Sequence, residues 1–142
     1  MREPSRSDTL ARSIGALFAG FVVVVALSLA ADLVMHKSGI FPPWGVPMGD
    51  RLFLLATVYR VAFGVVGSYI TARLAPNRPM GHAMLGGLIG LAISILGAVT
   101  TWNRGDEFGP HWYPVALAVL ALPQSGLGGM IREGQLRADT AG

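Results

Sequence analysis

The chain reads as an all-α protein: an integral membrane four-helix bundle with antiparallel neighbours and both termini cytoplasmic. Three observations predict this class. Hydrophobic residues make up 52% of the 142 positions and charged residues 13%, about half the charged share of an ordinary soluble domain. The charges are gathered between long uncharged runs rather than scattered. Four such runs are present, each close to the roughly 20 apolar residues that a helix needs to cross hydrocarbon. Together they fill most of residues 1–142 as one transmembrane domain and leave no room for a soluble one.

The first span covers 14–35 and is interrupted only by Asp32. Arg2, Arg6 and Arg12 precede it, and Ser28-Leu29-Ala30 has the small-x-small pattern of a signal-peptidase site. The apolar run continues through Leu33, Val34 and Met35, however, beyond a typical signal core of about 7–15 residues. A retained anchor is therefore expected. The second span, 52–74, holds Arg60 inside and Arg73 at its end. The third, 80–102, carries no formal charge; the fourth, 112–131, is also uncharged but punctuated by Pro114 and Pro123. Closed helices satisfy every backbone group in lipid, so a bundle is the natural arrangement.

The connections differ in character. Ala75-Pro76-Asn77-Arg78-Pro79 is a tight turn, which makes the second and third helices antiparallel neighbours. The loop from His36 to Arg51 holds Pro42, Pro43 and Pro47 around Trp44, and proline makes it stiff. The loop from Asn103 to His111 is short and polar. Both tails, 1–12 and 132–142, are polar, and their outermost residues are expected to be disordered.

Basic residues set the orientation. Arg2, Arg6, Arg12, Arg73, Arg78, Arg132 and Arg137 fall on one side, and only Lys37, Arg51 and Arg104 on the other. The richer side is cytoplasmic by the positive-inside rule. Trp44, Trp102 and Trp112, with Phe41, Phe53, Phe108 and Tyr113, mark the opposite boundary at headgroup level. The pI near 10.0 comes from these flanking residues and not from a basic stripe, which argues against nucleic acid as a partner. The lipid bilayer is the expected environment, with a second copy or another membrane protein as the possible partner.

Several chemistries are excluded or unsupported. The chain has no cysteine, which removes disulfides, thiol nucleophiles, zinc–thiolate sites and iron–sulfur clusters. His36 and His111 belong at the outer surface and His82 near the inner one, so they make no axial haem pair and no metal spacing. No serine, histidine and acid arrangement suggests a hydrolase. No catalytic residue, cofactor or metal is expected.

Membrane helices associate through close packing and polar contacts, because lipid is as apolar as leucine. Small residues recur every four positions at Gly64, Ser68 and Ala72 in the second helix, and at Gly86, Gly90, Ser94 and Ala98 in the third. Both columns are expected to face protein.

The charges inside the spans point furthest. Arg60 lies eight residues inside Leu52, about 12 Å deep at 1.5 Å per residue. An arginine at that depth costs roughly 3 to more than 10 kcal/mol unless it pairs or snorkels. Asp32 is the acidic residue available within the spans. Helical side chains lean towards their own N-terminus, so Asp32 leans inward and Arg60 outward, and an Asp32–Arg60 pair is expected. Thr57 and Tyr59 could add hydroxyls. Pro123-Gln124-Ser125-Gly126 joins a helix breaker to two polar side chains; a kink is the simpler expectation, and a coordinating break the sharper one.

Tyr59-Arg60, Ala72-Arg73-Leu74-Ala75-Pro76, Arg78-Pro79-Met80-Gly81-His82-Ala83 and Gly109-Pro110-His111-Trp112-Tyr113-Pro114 give the chain a resemblance to uncharacterised small bacterial four-span inner-membrane proteins. The likeness covers roughly residues 55–132 and implies a bacterial cytoplasmic (inner) membrane. No established activity attaches to such proteins, so it transfers no functional residue. The leading functional expectation is a non-enzymatic accessory or structural membrane component. The alternatives are a small transporter or channel subunit using the Asp32–Arg60 pair, and a lipid- or quinone-binding membrane protein. A cavity joining Arg60 to an opening would favour transport or ligand binding; a bundle closed around the pair would favour the structural role.

Overall fold

The computed structural model describes residues 5–142, with Glu107 by its backbone only. Among the described residues there are four α-helices, α1 (Arg6–Lys37), α2 (Asp50–Leu74), α3 (Pro79–Thr101) and α4 (Trp112–Ala141), with a single 3-10 turn at Asp106–Phe108. All four are long and apolar enough to cross a membrane.

Two helices run beyond their apolar stretches, and local chemistry explains one of these extensions. A capping box starts α1: the Asp8 N–H donates to Ser5 Oγ and the Ser5 N–H to Asp8 Oδ2, each at 3.2 Å. That reciprocal pair satisfies two orphan donors, so the helix begins well ahead of Ile14. Residues 132–141, expected to end in disorder, instead continue α4. Residues 1–4 of the other tail lie outside the described part. Proline reads as punctuation at the helix starts. Pro79 opens α3, where its missing N–H removes nothing, and Pro114 sits in the first turn of α4. Pro123 lies within α4, and the helix continues through it without a break.

The interior is made of small residues. Ala16, Ala56, Ala72, Ala83, Ala98 and Ala121 are buried, as are Phe41 and Phe53. Large aliphatic side chains point outward instead, with Leu96, Val99 and Val119 at 63%, 71% and 67% exposure. In water this inside-out distribution would be unstable. In lipid it is the expected one, because close backbone approach and not hydrophobic burial joins the helices.

The contacts between helices sit where side chains are absent or short. At the α1–α2 crossing, a methyl group on Gly20 would stand 2.6 Å from the Gly67 carbonyl. At the α2–α4 crossing, one on Gly128 would stand 2.6 Å from both the Val65 carbonyl and the Tyr69 amide. The α3–α4 seam runs through Gly87, which lies against Ser125 and the Ala121 carbonyl, and through Gly129, which lies against Met80 and Ala83. Helix α1 packs chiefly on α2. It meets α3 near one end, where His82 Nε2 and Ser13 Oγ are 2.9 Å apart and Leu17 faces Gly86.

Two ends of the bundle are chemically distinct. One carries the aromatic residues: His36 stacks on Trp44 with centroids 3.6 Å apart, Phe53 meets Tyr113 at 4.9 Å, and Trp112 Nε1 donates to Asp50 Oδ1 at 3.1 Å. The other carries arginine: Arg73 donates to the Tyr69 hydroxyl at 2.9 Å, which donates in turn to Gln135 Oε1 at 3.0 Å.

Candidate functional site

Because α1 touches α3 near the arginine end, the two helices stand apart over the rest of their length. A cleft of about 900 Å³ lies between them, floored by α2 and α4. Its lining runs along α1 from Ile14 to Asp32, about 27 Å at 1.5 Å per residue. That nearly equals the hydrocarbon thickness of about 30 Å. The rims carry exposed apolar side chains, Phe18 and Leu29 on one helix and Ile89 and Ile93 on the other. The cleft is therefore open along one side, towards the surroundings of the bundle.

Its polar end is at the aromatic side. Arg60 Nη2 donates to Asp32 Oδ2 at 2.6 Å, and the Tyr59 hydroxyl donates to Asp32 Oδ1. The Arg60 guanidinium carbon also lies 5.9 Å from the Tyr59 ring centre. Both carboxylate oxygens are thus engaged. The guanidinium is engaged through Nη2, while its Nε is buried, out of a ligand's reach and without a partner among the described residues. The two partners differ in exposure, 31% for the arginine side chain and 15% for the aspartate. Both line the cleft with Tyr113, so what the site offers a visitor is donors more than acceptors.

The remaining residues singled out by sequence divide clearly. Thr57 is buried and donates to the Phe53 carbonyl at 2.9 Å, within its own helix, so it adds no hydroxyl to the site. Ser68 donates to Ser125 at 3.2 Å, and Ser125 to the Ala121 carbonyl at 2.8 Å. Gln124 lies against Gly64, on the cleft floor. Ala72 is buried.

The third-helix column faces protein only in part. Gly86, Gly90, Ser94 and Ala98 all line the cleft; Ala98 is buried and Gly86 lies against Leu17 of α1, whereas a methyl group on Gly90 would meet nothing within 4 Å. The face that packs on α4 is the adjacent one, Ala83 and Gly87. Gly87 and Gly90 lie about 60° apart around the helix, so the seam with α4 and the open trough wall are neighbouring strips of one face. The same four-residue rule, applied to Ala83–Gly87 and Ala121–Ser125–Gly129, marks the true seam. Ala16–Gly20 and Gly67–Thr71 mark the α1–α2 crossing in the same way.

The histidines are placed apart. His36 and His111 stack on Trp44 and Trp102 at the aromatic end, and His82 meets Ser13 at the other. No group of three metal-ligating side chains occurs among the described residues.

Small residues inside, large apolar side chains outside and four membrane-length helices define the class, a multi-pass membrane protein. Likeness to known proteins narrows it no further: no family model, no curated protein and no solved structure matches the chain.

Proposed function

We propose that the protein is a non-enzymatic component of a bacterial cytoplasmic membrane that binds a lipid-like amphiphile in the cleft between α1 and α3. The observation that carries this reading is the cleft itself: about 900 Å³, within the range of ligand sites, open sideways and joined to Arg60. A purely structural ion pair needs no such opening. The arginine-rich end supports cytoplasmic termini and antiparallel neighbours under the positive-inside rule, and the resemblance to small bacterial four-span proteins supports the inner membrane. A channel is the weaker reading, because α1 and α3 come together at Ser13–His82 and Leu17–Gly86 and close the trough at that end.

The test is purification of the full chain from its native membrane, with identification of co-purifying lipophilic molecules and proteins. An amphiphile retained at a fixed ratio by the wild type and lost from Gly90→Leu is the expected result. Carry-over of bulk lipids in bulk proportions, equal in both forms, would overturn the proposal.

A further inference from the structure

We infer that the ligand's head is uncharged and rich in carbonyl acceptors, as in a quinone or a neutral glyceride, and not a phosphate. This rests on the cleft being a ligand site, and it follows from the charge at its polar end. Arg60 and Asp32 are 2.6 Å apart and cancel as a pair. A phosphate brought to the guanidinium would also approach the Asp32 carboxylate, so much of the attraction is offset by repulsion between like charges. The full desolvation of the anion would remain. A carbonyl oxygen meets no such repulsion and still accepts from the guanidinium, which lines the cleft with 31% of its side chain exposed and gives Asp32 only Nη2. Tyr113, on the same stretch of wall, supplies an aromatic face for a ring or an ester.

The tail follows from the rest of the trough. Below the pair the walls are mainly apolar or glycine as far as Ile14, with Ser28 on α1 and Ser94 on α3 as wall hydroxyls and Gln124, Ser68, Thr71 and Ser125 on the floor. A run of about 27 Å exceeds a single leaflet, about half of the 30 Å core. Glycine at 86, 87, 90 and 97 keeps the α3 wall low along this path, so a long chain can lie in the trough while its head stays at Arg60.

The experiment measures binding of decylubiquinone, dioleoylglycerol and dioleoylphosphatidic acid to the full chain in neutral detergent by native mass spectrometry. Wild type is compared with Gly90→Leu, Gly15→Leu and Asp32→Asn. Gly90 and Gly15 both have open space where a side chain would start, and of the two only Gly90 lines the trough. Expected is at least tenfold tighter binding of one or both uncharged probes than of phosphatidic acid, lost in Gly90→Leu and kept in Gly15→Leu. Which of the two binds separates a quinone from a glyceride. Asp32→Asn, which removes the cancelling charge and keeps the shape, is expected to raise phosphatidic acid binding about tenfold. Phosphatidic acid binding as tightly as the uncharged probes in wild type, and lost in Gly90→Leu, would overturn the head assignment while leaving the cleft as a ligand site. No probe distinguishing wild type from Gly90→Leu would overturn the ligand site itself.

Discussion

At the scale of single residues, Arg60 governs the energetics because it cannot shed its proton. It therefore needs an acceptor at a depth where few exist. Removing that acceptor alone is expected to be costly: Asp32→Leu should destabilise the protein by about 3 kcal/mol, the lower end for stranding one member of a buried pair. Asp32→Leu combined with Arg60→Leu should recover most of this loss, since an apolar pair leaves nothing uncompensated. Tyr59→Phe removes one donor to the carboxylate and should cost about 1 kcal/mol, as for interhelical hydrogen bonds in membranes. Unfolding midpoints in mixed micelles titrated with SDS check all three. A double variant no more stable than Asp32→Leu would show that the pair is not the reason for the loss. The pairing was legible in the sequence because an intramembrane arginine has so few partners and helix direction tilts both side chains towards each other. The unsatisfied Nε was not, since it depends on what surrounds the guanidinium in space.

At the scale of elements, glycines that look alike in the sequence do different work. A side chain on Gly128 would run into the Val65 carbonyl and the Tyr69 amide of α2. Backbone cannot step aside, so Gly128→Leu is expected to separate α2 from α4 and cost about 3 kcal/mol or more. Gly90 faces the trough, and Gly90→Ala should stabilise α3 by about 0.5–1 kcal/mol through helix propensity alone. The same SDS titration, with helical content followed by circular dichroism, reads both. Equal effects at the two positions would contradict the packing described here. The four spans were readable from hydropathy because bilayer thickness imposes a length on each. The helical continuation of residues 132–141 was less readable, because outside hydrocarbon the polarity of a segment does not reveal whether its backbone coils.

At the scale of the whole molecule, the arrangement is three closely joined helices with α1 attached along one side. Its two ends differ in charge and aromatic content, which predicts topology. In the cysteine-free chain, a cysteine introduced at Gly45 should react with a membrane-impermeant maleimide in intact cells. One introduced at Gly142 should react only after the membrane is opened. Reaction of both before permeabilisation would reject cytoplasmic termini. The separation of α1 from α3 has a second consequence at this scale. The α1 wall of the trough is held by its crossing with α2 at Gly20 and Gly67, so Gly67→Leu is expected to weaken retention of any bound amphiphile along with stability.

Composition and the spacing of apolar runs were enough to establish that this is a four-helix membrane chain, because hydrocarbon demands helices of one length and tolerates few charges. The same reasoning singled out Asp32 and Arg60, the charges such an environment tolerates least. Only the tertiary structure decided that α1 and α3 part company above Ser13 and His82, leaving a trough that ends at the arginine. The reason is physical. Whether a column of small residues closes a seam or walls a cavity depends on the rotation of one helix against its neighbour, and that rotation leaves hydropathy and spacing unchanged.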